Sequence, residues 1–156
     1  MEPKDDYVDD LVLICIDASK HAYKAFELFR NNFYRSNHTI GLMHIHPTPT
    51  RLKDQSELAY QKEVARVKEE SSAIVQKFRD EYINDDISVR VFSRGVTDNS
   101  IGKTICDFAN LTNPVVIVMG QRGLGAVKRA LYGSVSDYVM KHANVPVLIV
   151  PTPQVH

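Results

Sequence analysis

Hydrophobic and polar positions along the chain switch repeatedly between two periods. "LVLICID", Leu11–Asp17, is a continuous apolar run of strand length with β-branched content, and it predicts a central strand of a parallel sheet. From Ser19 onward Ala22, Ala25, Phe26, Phe29 and Phe33 recur at helical spacing, which predicts a helix with one apolar face. "TIGLMHIHP", Thr39–Pro47, reads as a second strand ended by proline. The prolines of "PTPTRLKD" remove backbone donors and make the next segment a loop. A long charged helix is expected from about Asp54 to Tyr82, with Tyr60, Val64, Val67, Ile74, Phe78 and Tyr82 as its buried stripe and Lys and Glu over the rest.

The second half continues the alternation. "ISVRVFS", Ile87–Ser93, alternates apolar and polar residues, as a strand near a sheet edge does, and Gly95 is read as opening a loop. Ile101, Ile105 and Phe108 mark one face of a helix. "PVVIVMG" is a fourth strand and "PVLIV", Pro146–Val150, a fifth, with a glycine-rich loop and a helix from Ser134 to about Ala143 between them. Strands alternating with helices imply parallel strands and right-handed crossovers. The fold class expected is therefore α/β, a single doubly wound five-stranded parallel sheet with helices on both faces. No repeat or linker divides the chain, so residues 1–156 are expected to form one domain with its core at about 10–151. The final strand is expected at a sheet edge, where unpaired backbone groups invite a second chain.

Composition narrows the function classes. Of 156 residues, 44% are hydrophobic and 24% charged, the values of a soluble globular domain. Nineteen basic residues balance nineteen acidic ones, so no net field favours nucleic acid or an anionic membrane. The segment "MEPKDDYVDD" is acidic and polar, unlike a signal peptide, and no apolar run approaches the roughly 20 residues of a membrane helix. A cytoplasmic location is expected. Cys15 and Cys106 lie in separate apolar segments and read as buried free thiols.

The candidate chemistry is sparse outside one loop. His44 and His46 share a strand face, but no nearby Cys, His or carboxylate completes a metal set, so they read as polar residues at a strand's functional end. Cys15 has no evident base in sequence, and no catalytic residue is assigned. Lys128 and Arg129 are read as part of a solvated loop. The informative stretch is "VVIVMGQRGLGAVKRALYGSVSDYV", Val115–Val139, which holds Gly120, Gly123, Gly125 and Gly133, four of the chain's 7 glycines. No glycine of this stretch precedes Lys and then Ser or Thr, so it holds no P-loop, and Lys128 stands where a dinucleotide fingerprint needs its third glycine. Two readings stay open on these residues alone. One is an anion cradle, built where a strand ends and the positive end of a helix begins. The other is a strand, a turn and a helix capped by Ser134, with Asp137 in its first turn.

The spacing G-x2-G-x9-G-[ST], here Gly120, Gly123, Gly133 and Ser134, resembles the ATP-binding signature of the universal stress protein family. "ICIDASKHAYKAFE" and the closing "KHANVPVLIVP" resemble that family too, so the likeness runs over about residues 10–151. The resemblance implies an adenine nucleotide, ATP with Mg²⁺, as ligand. It implies that Asp17 stands near the ribose and phosphates, that Cys15 contacts the nucleoside, and that the Ile45 backbone reads adenine. Met119 and Gly120 would line base and ribose; Gly123, Gly133, Ser134, Val135 and Ser136 would hold the phosphates, with Arg122 adding charge. It further implies a homodimer through the Val147–Val150 strand. The expected role is nucleotide-dependent stress signalling through a protein partner the sequence does not identify. The alternatives are a slow ATPase or nucleotide-transferring enzyme using the same pocket, and a dimeric interaction module that binds no nucleotide.

Overall fold

In the computed structural model, which describes residues 10–84, 86–96, 100–121 and 133–151, strands and helices alternate as the hydrophobic pattern requires. The elements are β1 (Asp10–Ile16), α1 (Lys20–Asn32), β2 (His38–Pro47), α2 (Glu57–Tyr82), β3 (Ser88–Val96), α3 (Ile101–Thr112), β4 (Val116–Gly120), α4 (Ser134–His142) and β5 (Val147–Val150). They build one 5-stranded sheet in the order β3-β2-β1-β4-β5 with every pairing parallel.

Alternation along the strands divides the core into two layers. Val12, Ile14, Ile16, Ile40 and Leu42 pack on one face against Ala22, Ala25, Phe26 and Phe29 of α1 and Val75 and Phe78 of α2. Leu13, Met43, Ile117 and Met119 pack on the other against Ile105, Cys106, Phe108 and Ala109 of α3 and Val139 of α4. β1 is buried on both faces, which is why its sequence is a continuous apolar run. Asn113 ends α3 in the left-handed conformation (φ 46°), a cap that Asn tolerates, and Pro114 follows it.

Three expectations are corrected. β3 does not stop at Ser93. Its register with β2 continues through His46↔Gly95 and Pro47↔Val96. Gly95 serves close packing there, since a Cβ at that position would strike the Thr48 hydroxyl. The long helix starts at Glu57, because Ser56 caps it by accepting a hydrogen bond from the Ala59 N–H at 3.2 Å. Its fully buried positions are Val67, Ser71, Val75 and Phe78, while Tyr60, Val64, Ile74 and Tyr82 are half-buried. No residue from Glu57 to Arg66 is fully buried, so the first turns of α2 add little to the core. Finally, α4 is capped by Gly133 in extended conformation (φ −62°, ψ 155°), and Ser134 is already its first helical residue. A side chain already inside the helix cannot be its N-cap, and Gly133 has none.

Among the described residues no helix is long and apolar enough to cross a membrane.

Candidate functional site

The sheet reverses its direction of growth between β1 and β4. β1 leads outward to β2 and β3, whereas β4 leads the other way to β5. At such a switch point the connections leave in opposite directions and open a crevice at the carboxyl ends of the two strands. A cleft lies there, about 610 Å³ with the open solvent at its mouth counted in. Cys15, Asp17, Ile45 and Met119 line it from the strand ends, Ser19 and His21 from the start of α1, and Gly133, Val135 and Ser136 from the start of α4.

Gly120 lets these parts meet. A Cβ on it would lie 2.6 Å from the His21 carbonyl oxygen and 2.7 Å from the His21 carbonyl carbon. The first turn of α1 therefore rests directly on the end of β4, and only glycine leaves room for that main chain.

Two helix N-termini consequently open on the cleft. The first-turn N–H groups of a helix have no intrahelical acceptor and carry the positive end of the dipole. α1 is entered through Ser19, whose side chain makes no capping bond and whose N–H donates to Asp17 Oδ1 at 2.8 Å. α4 is entered through Gly133, whose carbonyl accepts from the Asp137 N–H at 2.9 Å and the Ser136 hydroxyl at 3.0 Å. Ser136 is thus held in place from within its own helix.

Cys15 is half-buried in the wall of the cleft and forms no disulfide; Cys106 is buried and also free. Burial pushes the Cys15 thiol up to about 12, with the charges of Asp17 and then Cys106 acting in the same direction. The cleft therefore offers a neutral, weakly polar sulfur, and Cys15 is no nucleophile near neutral pH.

Of the residues singled out from sequence, the structure brings Cys15, Asp17, Ile45, Met119, Gly120, Gly133, Val135 and Ser136 together around this cleft. Ser134 is exposed and lies outside its lining. Arg122 and Gly123, like Gly125, Lys128 and Arg129, lie outside the described residues. The histidines are corrected. His44 projects to the α2 side of the sheet, away from the cleft, with its Nδ1 2.7 Å from the Ser71 hydroxyl. Among the described residues no group of three His, Cys, Asp or Glu side chains is placed to hold a metal.

Sequence reasoning missed Met43, Ser19, His21, Ile101 and Ile105. Met43 had a usable signal, being two residues from Ile45 on the same strand face. Ile101 and Ile105 were legible as the apolar face of α3, but only the packing of that helix under the cleft makes them its floor.

The model of the universal stress protein family matches residues 10–151. A universal stress protein of Synechocystis sp. is 46% identical over 54 residues, a stretch that covers 35% of this chain and 50% of that protein. The chain thus matches only about half the length of that relative. Among solved structures, universal stress protein UspA from Lactobacillus plantarum superimposes with a TM-score of 0.70 at 18% identity, covering 91% of this chain and 97% of that one. A universal stress protein family protein from Arabidopsis thaliana with AMP bound gives 0.64 at 19% identity, with 92% of each chain covered. A universal stress protein in complex with cAMP gives 0.62 at 19% identity, covering 90% and 96%. The chain belongs to the universal stress protein family.

Proposed function

We propose that the cleft between β1 and β4 binds an adenine nucleotide, ATP with Mg²⁺, and that occupancy sets a state of the protein read by partners in a stress response. The observation that carries this reading is the convergence of two helix N-termini, neither closed by a side-chain cap, on one cleft with apolar walls. Such a site suits an anion joined to a flat apolar group. Ile45 and Met119 supply surfaces for the base, while Gly133, Val135 and Ser136 supply main-chain donors for phosphates. AMP and cAMP in the two relatives support the adenine half of the reading. Gly123 and Ser134 are part of the proposal through the glycine signature, and Arg122 through the charge it adds just before Gly123 in sequence. When bound, Mg²⁺ would supply charge neutralisation at the phosphates.

The reading is of a binding site with slow hydrolysis at most; fast phosphoryl transfer needs a cation fixed at the γ-phosphate. Calorimetric titration of ATP with Mg²⁺, AMP and cAMP into the wild-type protein and into Gly133→Val and Ser134→Ala tests the proposal. Gly133 has a conformation that valine adopts, so Gly133→Val should fold and fill the mouth of the cleft. At least a tenfold loss of affinity is expected there, a change of about 1.4 kcal/mol. Phosphate release should stay below about one turnover per second. No heat from any nucleotide at millimolar concentration, or equal affinity in Gly133→Val, would defeat the nucleotide reading, and faster turnover would promote the enzyme.

We also propose that a single domain of this chain pairs with a second copy through β5. Both β3 and β5 are edge strands among the described residues. β3 carries exposed Arg90 and Arg94, which discourage pairing, whereas the β5 sequence VLIV carries no charge. A dimeric mass by light scattering at tens of micromolar is the expected result, with Val147→Lys monomeric and still folded by circular dichroism. A monomeric wild type at that concentration would refute it.

A further inference from the structure

On the face of the sheet away from the cleft, two buried polar side chains, His44 and Ser71, meet in an otherwise apolar layer, and the exposed Ser93 of β3 reaches them from its edge. His44 of β2 and Ser71 of α2 are each 5% exposed. His44 Nδ1 lies 2.7 Å from Ser71 Oγ, and Ser71 Oγ lies 3.4 Å from Ser93 Oγ on β3. Ser71 occupies a position in the buried stripe of α2, between Val67 and Val75, where helical spacing calls for an apolar residue. The only fully buried residue of α2 before it is Val67. This contact is therefore one of few that hold the first half of α2 to the sheet.

We propose that His44, Ser71 and Ser93 form a proton-operated clasp, closed while the imidazole is neutral and released in mildly acidic solution, freeing the first half of α2 and its contact with β3. The proposal does not rest on the nucleotide reading of the cleft.

The balance of charges around His44 sets the direction. From β1, Asp17 attracts a proton to the imidazole; from β2 itself, His46, with ring centroids 6.3 Å apart, opposes it. The buried residues of α2 (Val67, Ser71, Val75 and Phe78) and of α1 (Ala22, Ala25, Phe26 and Phe29), and Ser93 of β3, carry no charge. Burial and then His46 outweigh Asp17, and His44 is held below its ordinary value. The open form, in which the ring reaches water, binds the proton more readily. The clasp is therefore intact above the unfolded value of about 6.5 and is lost as pH falls from there through the folded value. Where the neutral ring carries its proton on Nε2, Ser71 donates to Nδ1. A second proton reverses that bond, turns the Ser71 hydroxyl towards Ser93 and leaves a cation buried between β2 and α2, a cost that is relieved when α2 moves off and the ring reaches water.

The test is amide hydrogen exchange at pH 7 and pH 5, corrected for intrinsic rates, with the histidine ring signals titrated by NMR. His38 is also held below its ordinary value, by burial first, but it sits at the other end of β2 beside Arg35, so location separates the two. Opening of amides 64–75 should rise relative to α3 at the lower pH. The rise should be about tenfold for each unit by which His44 titrates lower when closed than when open. In His44→Gln that difference should vanish, and in Ser71→Ala exchange should be faster at both values. A His44 signal titrating at or above about 6.5, or α2 and α3 exchanging in parallel at both pH values, overturns the proposal. Both readouts come from the wild-type protein, so they decide the matter even where a variant fails to fold.

Discussion

Phe78→Ala should lower the melting temperature by about 10 °C or more. Phe78 is fully buried and sits at the centre of an aromatic group. Its ring stacks on Tyr23 at 5.0 Å, meets Phe26 edge-on at 5.1 Å and lies 5.2 Å from Tyr82. Truncating a buried phenylalanine costs about 3–5 kcal/mol, through lost transfer energy and the cavity left behind. A domain of this size loses about 2–4 °C for each kcal/mol. Neighbouring rings cannot close the gap without giving up their own contacts, so the upper part of that range is expected. Differential scanning calorimetry checks it; a drop of under about 3 °C would mean that the aromatic group does not pack as described.

Gly120→Ala is the second large effect, with the opposite physical origin. Nothing is removed; one methyl group is added where the His21 main chain lies 2.6 Å away. A flexible side-chain tip would step aside, but a helix backbone moves only as a unit. Overpacking of this kind costs typically about 1–3 kcal/mol. The displaced element is the first turn of α1, so the mouth of the cleft should change together with stability. Urea denaturation should show a lower midpoint, and exchange of the α1 amides should rise more than that of α3. A variant as stable as the wild type would show that α1 shifts freely over the end of β4.

The elements were legible because each obeys one period. β1 and β4 are buried on both faces and read as apolar runs, α1 and α3 each bury one stripe, and β3 alternates as an edge strand does. What escaped were features set by a distant neighbour. Gly95 resembles a loop glycine until Thr48 is placed beside it, and Ser71 resembles an error in a helical stripe until His44 is placed beneath it. The cleft was partly legible: a glycine spacing marked the end of β4 and the start of α4, and the family resemblance it carries implied the residues at the ends of β1 and β2. The contributions of α1 and α3 were not legible, because no local pattern records which end of a packed helix meets a strand terminus. Ser134 was misjudged for the same reason, since the extended Gly133 places it inside the helix instead of before it.

The position of β4 has a consequence for synthesis. β1, β2 and β3 pair in the order in which they leave the ribosome, but the other side of β1 takes Val116–Val118, which emerge only after α3. Until then a strand that is buried on both faces in the folded protein has one bare edge, an invitation to wrong partners. The nascent chain is most vulnerable in that interval; the arrival of β4 seals the edge and brings Met119 and Gly120 to the cleft, which α4 then completes.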